Sequence, residues 1–162
     1  MDVLRAPWRM NYISSPIKEE GCIFCRYAAE AKDAENLIVF RGQSCFAILN
    51  RYPYSSGHLM IVPYRHTSNI LTLSAAERDE LMASAQDAVA ALEAAYSPEG
   101  YNLGINIGKA AGAGIDAHLH LHVVPRWNGD TNFMSATAET KVLPEALSVT
   151  RERILEEWPH RK

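Results

Sequence analysis

The chain has 162 residues, 48% of them apolar and 22% charged, which is enough length to bury one proper core and an ordinary balance for a globular protein. A net charge of -3 argues against a general nucleic-acid binder, which normally carries a basic excess. No apolar run approaches the ~20 residues of a membrane helix, Met1 to Tyr12 lacks the apolar centre of a signal peptide, and the odd set of cysteines makes no disulfide framework, so a cytoplasmic location without a membrane partner is expected.

Residues 1–20 read as an irregular N-terminal arm carrying Trp8 and Tyr12. After Cys22–Cys25, a short helix is expected up to about Ala34. Asn36–Arg41 and Ser44–Asn50 are apolar runs split at Gly42, the pattern of a hairpin. Turn residues fill Arg51–Gly57, and His58–Tyr64 resumes as a strand closing at Pro63. The clearest helix runs from Ser74 to about Tyr96: Ser74 and Glu77 have capping-box spacing, and Leu81, Ala85, Ala88 or Val89, and Leu92 recur on one face. Tyr101–Ile107 and His118–Pro125 read as strands around a glycine-rich loop, and Glu145–Trp158 as a terminal helix after Pro144. This order gives an α+β domain with a mainly antiparallel sheet of about five strands, one long helix and a C-terminal helix. The expected divisions are 1–20 for the arm, 21–143 for the domain proper, and 144–162 for a helix and tail of the same single domain.

The most informative stretch is His118–Arg126, where His118, His120 and His122 alternate with Leu119, Leu121 and Val123. A period of two belongs to a strand, so the leucines and the valine are expected on the core face and the imidazoles on the other. Histidine has the side chain that titrates nearest neutral pH, and a row of three offers an acid, a base and a nucleophile in one patch. Strand rise puts neighbouring histidines roughly 7 Å apart and the outer pair roughly 13 Å. Zinc holds its nitrogen ligands at about 2.0–2.1 Å, so two of the three could converge on one ion and at least one is left for other work.

Two further features carry chemistry. Gly104, Gly108, Gly112 and Gly114 crowd the loop before the histidines, where small residues let backbone N–H groups cradle an anion, with Lys109 adding charge. A flexible hairpin loop would look the same when taken alone. It is not a P-loop, since no Gly-Lys-Ser/Thr follows. Cys22 and Cys25 have the spacing of a metal or redox pair, though two packed thiols would also account for it, and Cys45 reads as core.

These residues resemble the histidine-triad (HIT) family: His118, His120 and His122 with Val123 and Val124 fit its His-φ-His-φ-His-φ-φ signature, where φ is apolar. Asn50, the block Gly57–Pro63, Asn106 and Gly108, and Pro125 with Arg126 also fall in place, so the resemblance runs from about Cys22 to Arg126. The flanks Ala6–Tyr12 and Pro125–Met134 are similar to the branch containing bacterial diadenosine tetraphosphate phosphorylases.

The resemblance implies a HIT-like fold and a nucleotidyl transferase or hydrolase. His120 would attack the α-phosphate of an adenine nucleotide and form a nucleotidyl-imidazole. His122 would stand near the departing group and help supply its proton, with His118 completing the triad and His58 supporting it. Amides of Asn106, Gly108, Gly112, Ala113 and Gly114 would hold the phosphates, so that catalysis itself needs no metal. Asn50 matches the position that holds the ribose hydroxyls, with Phe24, Phe46 and Leu49 near the base. A structural zinc on Cys22, Cys25, His66 and His118 is implied, as is a homodimer built on the long helix and its neighbouring strand, extended by the aromatic arm and Trp127.

The sequence departs from the pattern four residues before His118, where Fhit-like hydrolases carry glutamine and Hint-like proteins often serine; Gly114 offers no side chain and leaves space for inorganic phosphate in place of water. Diadenosine polyphosphates are the expected substrates. A Hint-like adenosine phosphoramidase, a hydrolase using His118 and His120 as zinc ligands, and a non-catalytic nucleotide-binding protein are the alternatives.

Overall fold

Short apolar runs, buried at every position from Cys45 to Leu49 and from Leu59 to Pro63, build a sheet that the long helix closes on one side. The computed structural model describes residues 21–130 and 143–159, so the expected N-terminal arm and part of the second flank lie outside the described residues. In chain order the elements are α1 (Ile23–Ala29), α2 (Asp33–Asn36), β1 (Ile38–Arg41), β2 (Cys45–Leu49), β3 (Leu59–Pro63), α3 (Ala75–Tyr96), β4 (Gly100–Ile105), β5 (Leu121–Arg126) and α4 (Leu147–Glu157). The sheet has five strands in the order β1-β2-β3-β5-β4, and each neighbouring pair is antiparallel.

Residues paired directly across a ladder share a face. Leu49, Leu59 and Val123 therefore form one row, and Ile48, Met60 and His122 form another on the opposite side. Helix α3 covers the first face: Cys45 Sγ lies 3.5 Å from Ser84 Oγ, and burial pushes the Cys45 thiol up to about 11. From β4, the Tyr101 hydroxyl donates to Glu93 on the same helix at 3.0 Å. Leu81, Ala85, Ala88 and Leu92 fill the helix–sheet layer as their spacing predicts. Ser74 and Glu77 close a capping box at the start of α3. The Glu77 carboxylate also accepts from Arg65 at 2.7 and 2.8 Å, and this guanidinium is the main cause of its depression to about 2.

The other face is left for α1, for the loop before β3 and for the histidines. Arg41 of edge strand β1 ties α1 down, donating to the carbonyls of Ala28 (2.7 Å), Glu30 (2.8 Å) and Tyr27 (3.2 Å) and to Asp33. Glu30 is already extended, with φ -85° and ψ 141°, so the helix expected to reach Ala34 stops at Ala29 and resumes only as α2. A second departure matters more. β5 begins at Leu121, so His118 and His120 precede the ladder; the Leu119 amide is taken by the Thr67 carbonyl at 2.7 Å instead of a neighbouring strand. His118 and His120 are as buried as Leu119, and the simple core-face and outer-face division holds only across Leu121–Val123, since Val124 on the His122 side is buried as well.

Candidate functional site

The histidine segment is fixed by backbone carbonyls, which can only accept. His120 Nδ1 lies 2.8 Å from the His118 carbonyl, so it carries the proton and donates it there, leaving the lone pair on Nε2. Burial lowers the basicity of His120 and favours the neutral ring. His118 Nε2 donates in the same way to the Pro63 carbonyl at 2.8 Å, so its Nδ1 carries the lone pair. His122, the first of the three to sit within the ladder, places its ring 4.8 Å from that of His120 and its Nδ1 2.9 Å from His58 Nε2. His58 is fully buried and accepts at Nδ1 from the Tyr54 amide at 3.1 Å. The four imidazoles thus form a continuous set with defined proton positions, not four independent groups.

A second cluster grows from the same segment. The ligand atoms of Cys22, Cys25, His66 and His118 lie within 4.8 Å of one another and could hold one metal ion. Cys22 Sγ is 3.3 Å and Cys25 Sγ 3.6 Å from His118 Nδ1, while His66 Nδ1 is 3.3 Å from both His118 Nδ1 and Cys25 Sγ. The His118 lone pair, aimed by the Pro63 carbonyl, points into this group, and an outer hydrogen bond of that kind is how ligating histidines are commonly held. Burial lowers the basicity of His118 and, with the neighbouring Cys22, raises Cys25. His120 stands outside the cluster, which removes the reading in which His118 and His120 share one ion. Phe24, between the two cysteines, packs its ring 5.4 Å from His118 and 5.2 Å from His120, so the metal-type cluster and the histidine row share one aromatic wall.

The remaining expected residues divide. Phe24 and Phe46 lie on the histidine side of the sheet, where Phe46 packs against Tyr64 at 5.4 Å. Leu49 does not: it pairs with Leu59, in the row that faces α3, because positions 46 and 49 differ by an odd number and point to opposite faces. Its assignment beside a base is corrected on that ground. Asn50 is engaged within its own loop, its side-chain oxygen accepting from the Tyr52 amide at 2.9 Å and its nitrogen lying 3.5 Å from His58 Nδ1.

In the glycine loop, Gly108 and Gly112 take φ of +78° and +81°, which glycine alone adopts without strain. The amides of Ala111 and Ala113 donate to the Gly108 carbonyl, and that of Gly112 to Lys109, so part of the expected anion cradle is satisfied by the loop itself. Asn106 and Gly114 flank this turn, and Lys109 Nζ reaches across it to Asp116 at 3.8 Å. Tyr54 was missed by sequence reasoning: its amide fixes His58 and its ring lies 4.7 Å from His58 and 6.1 Å from His122. The only signal was its place after Pro53 in a loop ending at His58.

A five-stranded antiparallel sheet with two histidines leading into its strand β5, a third within that strand, a fourth behind them and a glycine loop ahead defines a histidine-triad site. Residues 31–129 match the HIT domain family model, and the chain belongs to the HIT family. It is 41% identical over 162 aligned residues, 96% of this chain and 83% of the relative, to AP-4-A phosphorylase of Mycobacterium tuberculosis. A bis(5'-adenosyl)-triphosphatase of Dictyostelium discoideum is 32% identical over 89 residues, 55% of this chain and 59% of that one. Among solved structures, a Zn-bound histidine triad family protein from Mycobacterium smegmatis superposes with a TM-score of 0.69 at 25% identity, covering 85% of this chain and 92% of that one.

Proposed function

We propose that this chain is a nucleotidyl-transferring enzyme that cleaves diadenosine polyphosphates through a nucleotidyl-His120 intermediate, with inorganic phosphate as the second nucleophile. The observation that carries this reading is the bond from His120 Nδ1 to the His118 carbonyl. That bond takes up Nδ1 and leaves the lone pair of the ring on Nε2, the nitrogen that attacks phosphorus in this reading. The electron pair of Nε2 forms the N–P bond, the bond from phosphorus to the bridging oxygen breaks, and the remainder of the polyphosphate departs with that pair. His122 stands beside the departing oxygen, and Gly114 leaves room for phosphate to approach the intermediate. Asn106, Gly108, Gly112, Ala113 and Gly114 border the phosphate chain, Phe24 and Phe46 lie toward the base, and Asn50 turns to the ribose when its loop contacts are exchanged for substrate. The relatives named for AP-4-A phosphorylase and bis(5'-adenosyl)-triphosphatase support this substrate class.

Cys22, Cys25, His66 and His118 suit zinc. Tetrahedral ligands at the usual Zn–N and Zn–S distances lie about 3.3–3.8 Å from one another; Cys22 to His118, Cys25 to His66 and to His118, and His66 to His118 are already 3.3–3.6 Å apart, and all four donor atoms lie within 4.8 Å. When bound, zinc supplies a cross-link between α1 and the His66 and His118 segments and no chemistry at phosphorus. A homodimer along edge strand β4 and α3 agrees with the exposure of Leu103 and Met82. Product analysis of diadenosine tetraphosphate, with and without inorganic phosphate, tests the function. ADP plus ATP formed only with phosphate supports it; AMP plus ATP regardless of phosphate makes the chain a hydrolase; and no turnover refutes the substrate assignment.

A further inference from the structure

Strand β4 ends beside the histidines: across the ladder with β5, Gly104 pairs with His122 and Ile105 with Leu121. The chain then leaves the sheet, turns through the glycine loop and returns at His118, so both limbs of that loop are anchored at the histidine segment. Lys109 stands on one limb and Asp116 on the other, and their contact at 3.8 Å ties the loop across. The turn that carries Lys109 is held by its own amides, which bond back to the Gly108 and Lys109 carbonyls. The ammonium therefore hangs from a fixed backbone.

The ion pair itself is loose. An N–H donor bonds an oxygen at about 2.7–3.2 Å, so at 3.8 Å Lys109 is held to Asp116 by charge alone. Its side chain is 87% exposed, the most of any side chain in the ion pairs of the described residues. Arg126, the other cation between residues 100 and 126, is committed elsewhere: it donates to Asp130 at 2.6 and 2.9 Å and to Asn102 at 2.8 Å. Lys109 is thus the cation of this segment that a ligand can take over at small cost. Phosphate chemistry asks for one. A phosphate group brought up to a nucleotide phosphate meets like charge, and loop amides offset it with partial charges only. A lysine supplies a full charge on a flexible four-carbon stem.

We propose that Lys109 is a phosphate-binding residue, which leaves Asp116 to hold a phosphate group other than the one under attack. That group is either the incoming inorganic phosphate or a remote phosphate of the bound nucleotide, and this rests on the phosphates lying along the glycine loop as in the proposed function. Asp116 competes with the phosphate for the ammonium and so sets the affinity. The two charged side chains act in opposite directions on phosphate binding, which a merely structural ion pair would not do.

The test is calorimetric, at constant ionic strength, on full-length protein and its Lys109→Gln and Asp116→Asn variants. Inorganic phosphate is titrated into protein saturated with AMP, and AMP, ADP and ATP are titrated separately. Lys109→Gln should weaken one of these additions by about tenfold, the loss of a charged hydrogen bond at an exposed position, while AMP binding holds. Weakened inorganic phosphate identifies the incoming phosphate as the group held; weakened ADP and ATP identify a remote phosphate of the nucleotide. Asp116→Asn should tighten the same addition. Thermal unfolding should be unchanged in both variants, since a pair this exposed contributes little to stability. Phosphate, ADP and ATP bound by Lys109→Gln as by the parent overturn the proposal, as does a shift of both variants in the same direction. If diadenosine tetraphosphate is not cleaved, the proposed function falls, and these titrations decide the role of Lys109 by themselves.

Discussion

Gly57→Ala tests whether the loop that aims Tyr54 at His58 is clamped by close packing. Gly57 has φ +81°, and an added Cβ would stand 2.6 Å from Leu92 Cδ2, with Pro125 Cγ at 3.6 Å and Tyr96 Cε2 at 3.7 Å behind it. The left-handed backbone costs a side chain about 1 kcal/mol. Overpacking against Leu92, itself fully buried, adds about 1–3 kcal/mol, since neither the helix nor the strand can retreat without opening the core. The sum of about 2–4 kcal/mol corresponds to a Tm lower by roughly 5–15 °C for a chain of this size. Urea unfolding should show a lower midpoint at unchanged slope, the mark of a stability change without a change in compactness. Because the next residue is His58, kcat should fall as well, by about tenfold if the His58–His122 contact lengthens. A variant unfolding within about 2 °C of the parent would refute the reasoning, because the methyl would then have found space that this packing does not contain.

His120→Asn should abolish turnover while nucleotide affinity, followed by calorimetry, changes little; residual turnover would place the nucleophile elsewhere. Gly114→Gln should shift products from phosphorolysis toward hydrolysis, and an unchanged product ratio would discard the role given to that space. Metal analysis should find one zinc per chain, Cys25→Ser should lose it together with thermal stability, and less than a few per cent zinc in protein purified without chelators would count against the site. Glu77 titrates well below an ordinary carboxyl, so the native state favours its charged form: that stabilisation is complete above about pH 5 and is lost as pH falls toward its folded value of about 2. Glu77→Gln should flatten this acid limb in thermal unfolding, and an unchanged limb would assign it to other carboxyls.

The readable parts of this chain are those where side chains announce backbone geometry. Ser74 and Glu77 mark the start of α3 because a capping box needs both types at that spacing, and both bonds form. Leu121 and Val123 alternate with His122 because a half-covered strand requires it. The same alternation misleads one step earlier, since at Leu119 the chain is held by the Thr67 carbonyl and not by a ladder. Leu49 was legible but misplaced: an odd separation from Phe46 along one strand already sets the two on opposite faces. Other features leave no mark in the residue types. The Tyr54 and Pro63 backbone groups fix His58 and His118, yet any non-proline residue offers an amide and every residue a carbonyl. The turn at Gly108–Gly112 shows in its glycines, but which of its amides turn inward depends on the fold.

The central claim is the covalent step, and the direct measurement is rapid quenching of the protein with diadenosine tetraphosphate in the absence of phosphate, followed by mass analysis under conditions that preserve phosphoramidates. The account predicts one adenylyl group, located on His120, absent from His120→Asn and discharged when phosphate is added. Turnover at a normal rate with no adduct, and with inversion at a chirally labelled phosphorus, would show a single displacement and contradict it.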